Sequence, residues 1–116
     1  MINLSTYILL SLSFILISPA FSQQAPNIIL TDVEGNKHEL YDALGQGYIV
    51  FLDFSFIECT PCNEALHEIK SIIEDFDDQN LLVWYASDRD SDLALKNFLD
   101  TAELEVIAAG REGGVE

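Results

Sequence analysis

Cys59-Thr60-Pro61-Cys62 is the stretch of this chain whose residue types and spacing can do chemistry, and it holds the only two cysteines. A thiol attacks a disulfide only as its thiolate, so a redox-active cysteine needs a device that draws its pKa below the free value of about 8.5. Pro61 points to that device. Proline suits the first turn of a helix, where its missing N–H is not needed, so the motif reads as a helix start with Cys59 at the N-terminal end. Free backbone N–H groups and the positive end of the helix dipole there favour a thiolate. Cys62, one turn further in, is expected to be the more buried. The roles then divide: Cys59 attacks and forms a mixed disulfide, and Cys62 resolves it by attacking Cys59.

Two other readings of the pair stay open. One is half of a zinc site completed by His67 or His38, although structural zinc usually takes four ligands and the sequence has no second C-x-x-C or close histidine pair. The other is a structural or vestigial pair, although a disulfide across so short a loop removes little unfolded-state entropy.

The flanking elements decide whether such a motif can work. Tyr48 to Phe56 is a β-rich apolar segment, and its continuous run Ile49-Val50-Phe51-Leu52 predicts a strand covered on both faces. After Cys62, Leu66, Ile69, Ile72, Ile73 and Phe76 recur every three to four residues between charged ones, which predicts a helix ending at Asp75–Asn80. Leu81–Ala86 is a second buried-strand candidate, so the three pieces make a right-handed βαβ unit with a parallel strand pair. A second helix follows from Leu93 to Ala102, and Glu105–Ala109 begins another extended segment. Upstream, residues 28–40 read as a β-hairpin turning at Asp32–Asn36, with Tyr41–Gly47 as a connector long enough for one helical turn. The acids Asp88, Asp90 and Asp92 alternate like calcium ligands but lack the glycine and the twelfth-position acid of such a loop, so they read as helix-capping residues. His67 reads as solvated, His38 as a strand-surface residue and Trp84 as core.

Residues 1–22 read as a secretory signal peptide. No charged side chain precedes Asp32, the apolar run Tyr7–Ile17 is broken only by two serines, and Ala20 and Ser22 stand at −3 and −1 of a cut before Gln23. That run is roughly 11 residues, against the ~20 of a membrane-spanning helix, so no stable membrane insertion is expected after cleavage; an uncleaved anchor and a buried helix are the alternatives. The formal charge of −15 therefore falls on residues 23–116. Such acidity excludes nucleic acid and anionic lipid surfaces as partners, since both select clustered Lys and Arg, and it fits a periplasmic or secreted location.

With these elements in place, Leu52–Cys62 resembles the active-site strand and turn of thioredoxin-like proteins. Pro26–Asn36 is similar to the N-terminal hairpin of their exported branch, the thiol–disulfide oxidoreductases of the TlpA/ResA type within the redoxin group. The resemblance covers residues 26 to about 110. It implies an α/β thioredoxin-like fold: an N-terminal β-hairpin, a βαβ unit and a second helix, with the C-terminal strands missing and the domain 23–116 incomplete. It implies exchange of disulfides through the Cys59–Cys62 dithiol, as a reductant of disulfide-bearing exported proteins recharged by a membrane thiol reductant. No cofactor is implied beyond the redox-active disulfide itself. Asp53 stands where thioredoxins carry a buried acid, which implies a proton relay for Cys62; the alternative is an aspartate near a strand end that is hydrogen-bonded or solvated. Thr60 and Pro61 complete the motif. Glu58 replaces the tryptophan usual before the first cysteine, and its carboxylate disfavours a neighbouring thiolate. Phe56-Ile57 replaces smaller residues, and the cis-proline loop of the family has no counterpart, because the only prolines are Pro19, Pro26 and Pro61. A non-catalytic thioredoxin-like domain of a larger secreted protein is the competing reading. A thiol peroxidase of the same group fits poorly, because Phe56 stands where that chemistry places a threonine.

Overall fold

The computed structural model describes residues 23–77 and 79–116; the expected signal peptide, 1–22, lies outside the described residues. Among the described residues, five strands and three helices follow in order: β1 (Ile29–Thr31), β2 (Lys37–Glu39), α1 (Leu40–Gly45), β3 (Ile49–Phe54), α2 (Thr60–Asp75), β4 (Leu81–Ala86), α3 (Asp92–Thr101) and β5 (Ile107–Ala109). The connector after the hairpin is thus a six-residue helix.

β3, β4 and β5 form one sheet in that order, and both pairings are parallel. β4 lies in the centre, which is why its sequence is an unbroken apolar run: Val83, Trp84, Tyr85 and Ala86 are all buried. Alternation along the strands sorts side chains onto two faces. Val83, Tyr85 and Ala108 pack with Ile69 of α2 and with Leu95 and Leu99 of α3. Trp84, Ala86 and Ala109 pack with Leu30 of β1 and with Leu40 and Ala43 of α1. The helices therefore cover one face, and the hairpin with α1 covers the other. At the outer edge of β3, which carries no strand among the described residues, Ile49, Phe51 and Phe54 are exposed. Leu95 is fully buried at the centre of the helix-covered face, so Leu95→Ala is expected to cost about 2–5 kcal/mol, read as a lowered urea midpoint.

The hairpin is closed by side-chain chemistry. Asp32 Oδ1 accepts from the backbone N–H groups of Glu34 and Asn36, at 2.9 and 2.8 Å, and Gly35 takes the positive φ of 89° that the turn requires. Asp32 Oδ2 lies 2.7 Å from His38 Nε2 in β2, and the His38 ring stands 6.1 Å from that of Trp84. Residues 114–116 run back along β1: Ile29 N–H donates to the Glu116 carbonyl and Glu116 N–H to the Ile29 carbonyl, at 3.0 and 2.8 Å.

Burial by itself pushes the Asp32 carboxyl up, but His38 and the donors from Asn36 and Glu34 together hold it below its ordinary 3.8. A depressed folded-state pKa contributes stability that is present above the unfolded value and is lost as pH falls through the folded one. Asp32→Ala is accordingly expected to lose about 1 kcal/mol at neutral pH. Thermal melts across pH should show that deficit closing below pH 3.8.

Candidate active site

Cys59 is the N-cap of α2: its backbone is extended (φ −80°, ψ 96°), and the helix begins at Thr60. The Cys62 backbone N–H donates to Cys59 Sγ at 3.3 Å, so one of the helix's unpaired amide donors points at the first sulfur. Pro61 sits in the first turn, as its sequence position predicts. The two cysteines form a disulfide, with Cα atoms 5.2 Å apart. Glu58, Thr60 and Pro61 are exposed, while Cys59 and Cys62 are both half-buried.

Asp53 lies in β3 in register with Tyr85 of β4, on the face covered by α2 and α3. Desolvation by burial raises its pKa. Two further polar groups share that interior. Tyr85 is 1% exposed and Ser55 5%, and neither hydroxyl has a hydrogen bond of ordinary geometry among the described residues. Burial pushes the Tyr85 hydroxyl up, as do the Asp53 and Asp90 carboxylates, against a pull from the neighbouring Ser55. Asp53, Ser55 and Tyr85 thus form a small polar cluster within the sheet interior.

The loop between β3 and the motif is held from outside. Asp90 Oδ2 accepts from the Ile57 N–H at 2.8 Å and from Ser87 Oγ at 2.7 Å. Asn63 Nδ2 donates to the Ile57 carbonyl at 2.8 Å. The Arg89 guanidinium lies 4.2 Å above the Phe56 ring, a cation–π contact on the rim of a cleft of about 460 Å³ lined by Phe54, Phe56, Ala86 and Val115.

Sequence reasoning placed Cys59, Cys62, Asp53, Glu58, Thr60 and Pro61 on the right elements. It missed Asp90, Asn63, Tyr85 and Ser55. The acids of residues 88–92 read as caps, but Ser91 caps α3 through its Oγ and the Ala94 N–H, while Asp90 reaches back to the dithiol loop. His38 belongs to the hairpin and His67 is exposed on α2; among the described residues no group of three or more His, Cys, Asp and Glu could hold a metal ion.

A sequence profile described as "AhpC/TSA family" matches residues 21–109. The chain belongs to the AhpC/TSA family. Within known proteins, this AhpC/TSA member is 32% identical over 92 residues to the thiol-disulfide oxidoreductase ResA of Bacillus thuringiensis subsp. konkukian, covering 79% of the chain and 52% of that relative. It is 32% identical over 75 residues to ResA of Bacillus subtilis, covering 65% of the chain and 41% of the relative. The chain thus spans about half the length of the relatives it matches. Among solved structures it is similar to a thioredoxin-family thiol:disulfide interchange protein from Chlorobium tepidum, with a TM-score of 0.69 at 14% identity over 80% of this chain and 63% of the other. It is also similar to the thioredoxin domain of a thiol-disulfide oxidoreductase from Bacteroides vulgatus, with a TM-score of 0.64 at 22% identity over 82% and 68%. The fold of this AhpC/TSA chain is thioredoxin-like, as its active-site strand, helix and hairpin predict. No helix among its described residues is long and apolar enough to cross a membrane.

Proposed function

We propose that the chain is, or is part of, an exported thiol–disulfide oxidoreductase that acts as a reductant through Cys59 and Cys62. The observation that carries this reading is the placement of Cys59 as N-cap of α2 with a backbone N–H on its sulfur. Such a donor stabilises a thiolate more than a thiol. In the reduced state the Cys59 thiolate attacks a partner disulfide; that S–S bond breaks, one partner thiol leaves, and a mixed disulfide forms. Cys62 then gives up its proton and attacks Cys59 Sγ, which releases the second partner thiol and closes the Cys59–Cys62 bond. Two electrons pass from the dithiol to the partner.

Asp53 takes the role of proton acceptor for Cys62: desolvation by burial raises its carboxyl above the ordinary value, which makes it a stronger base than a solvated carboxylate. Thr60 and Pro61 shape the turn. The Glu58 carboxylate, exposed beside Cys59, tempers the acidity of the attacking thiol. Residues 1–22 act as a signal peptide removed before Gln23, delivering the domain to the periplasm or outside the cell. There its partners are disulfide-bearing exported proteins, and a membrane thiol reductant restores the dithiol. The ResA relatives and the acidic charge of −15 support that setting.

The test is turnover of a protein disulfide such as that of insulin by the chain under a dithiol regenerant. Rates well above the regenerant alone support the proposal. Rates at the regenerant's own level favour the alternative of a non-catalytic thioredoxin-like domain of a larger secreted protein, which the Glu58 carboxylate beside Cys59 motivates. Export is tested by N-terminal sequencing of the protein recovered outside the cytosol, which is expected to begin at Gln23.

A further inference from the structure

The Ile57 peptide stands two residues before Cys59, and both of its polar groups are taken by side chains. Its N–H donates to Asp90 Oδ2 at 2.8 Å, and its carbonyl accepts from Asn63 Nδ2 at 2.8 Å. The two side chains come from different places: Asn63 belongs to the first turn of α2, beside Cys62, whereas Asp90 belongs to the loop between β4 and α3 and lies 33 residues from Ile57.

Asp90 is itself firmly placed. Its Oδ2 accepts from Ser87 Oγ, whose oxygen in turn accepts from the Asp90 and Arg89 backbone N–H groups at 3.1 and 3.3 Å. The Asp90 carbonyl accepts from the Arg111 N–H at 2.8 Å, and the Ser87 N–H donates to the Ala109 carbonyl at 2.8 Å, so the loop is tied to the end of β5. Gly110 permits this closeness, because a Cβ there would fall 2.9 Å from the Asp90 carbonyl oxygen and 2.5 Å from Asp92 Oδ1. Asn63 is anchored at its other end, donating its own N–H to the Cys59 carbonyl at 2.9 Å. The segment from Ile57 to Asn63 is thereby pinned to the sheet at one end and to α2 at the other.

We propose that Asp90 and Asn63 are positioning residues for the dithiol: together they clamp the Ile57 peptide and so hold Cys59 where Cys62 can close on it. This inference rests on the dithiol being redox-active, and it assigns a determinant of that dithiol's equilibrium. Preorganisation of two reacting groups raises the effective concentration of one toward the other. A clamped turn therefore favours the closed disulfide, and an unclamped turn favours the open dithiol.

The measurement is the equilibrium of the full chain with glutathione, in which two glutathione thiols become one glutathione disulfide as the Cys59–Cys62 bond opens to two thiols. Asp90→Ala and Asn63→Ala are each expected to shift the constant toward the dithiol about tenfold, which is about 30 mV in potential. The double variant is expected to shift it by less than the product, because both residues hold the backbone of the same residue, Ile57. Asp90→Asn keeps an oxygen acceptor for the Ile57 N–H and is expected to stay within twofold of the native chain. Ser91→Ala removes the cap of α3, so it lowers the melting temperature while leaving the equilibrium in place.

An unchanged constant in both alanine variants overturns the proposal. So does an Asp90→Asn variant displaced as far as Asp90→Ala, or a Ser91→Ala variant that shifts the constant equally. Asn63 is exposed on α2, so its alanine variant folds and keeps the test decisive should Asp90→Ala not fold. The equilibrium is read on the dithiol itself, so a chain that reduces no protein disulfide still reports on the clamp.

Discussion

Cys59→Ser is expected to bring disulfide reduction down to the uncatalysed background, while Cys62→Ser keeps the first attack and stalls on it. The asymmetry follows from the helix start. Cys59 is the residue whose sulfur receives a backbone N–H and whose position at the N-cap meets the positive end of the α2 dipole; a serine hydroxyl there stays protonated and attacks no disulfide. In Cys62→Ser the Cys59 thiolate still forms the mixed disulfide, but nothing expels the second partner thiol. Mass spectrometry of Cys62→Ser mixed with a disulfide-bearing protein should show one adduct per chain, which a dithiol reductant removes. Turnover that persists in Cys59→Ser, or adducts that form on Cys59→Ser faster than on Cys62→Ser, would reverse the assignment.

Asp53→Asn is expected to slow turnover about 10²-fold, within the usual range for loss of a general acid–base group, and at the same time to make the protein more stable at neutral pH. Burial raises the Asp53 carboxyl above its ordinary 3.8, so the native state holds a proton that the unfolded state gives up over that window. Stability linked to this group is fully present below the unfolded pKa and is lost as pH rises through the folded one. Asparagine carries no such penalty. Its melting temperature should exceed that of the native chain at pH 7, and the two should converge below pH 3.8. The kinetic loss should fall on the resolving step, seen as a mixed disulfide that accumulates during turnover. A variant that is slower but shows no pH-dependent gain in stability would place Asp53 in a solvated, hydrogen-bonded role instead.

The C-x-P-C turn was readable from sequence because its chemistry is local: a cap, a proline in the first turn and a second cysteine three residues on are all fixed within one turn of helix. The same holds for the buried strand β4 and for the hairpin, whose Asp32 and Gly35 lie within its own turn. The equally unbroken apolar run of β3 predicts cover on both faces, but among the described residues β3 is the edge strand of its sheet and leaves Ile49, Phe51 and Phe54 exposed. Asp53 stands out only through the family resemblance, and it lies in register with Tyr85 on the helix-covered face.

Tertiary structure decided what lies around the dithiol. The 88–92 stretch, Asp-Arg-Asp-Ser-Asp, offers several acids that sequence alone cannot tell apart; Ser91 became the cap and Asp90 the partner of Ile57, because the register of β4 against β3 brings the two loops to the same sheet end. Tyr85 reads as one more apolar residue of its strand, and its orphan hydroxyl gains meaning only beside Ser55 and Asp53. The sequence by itself determined the cysteine pair, the helix that opens at it and the strand that leads into it. Only the tertiary structure decided which side chains hold that pair in place, because a hydrogen bond spanning 33 residues depends on packing that no local pattern encodes.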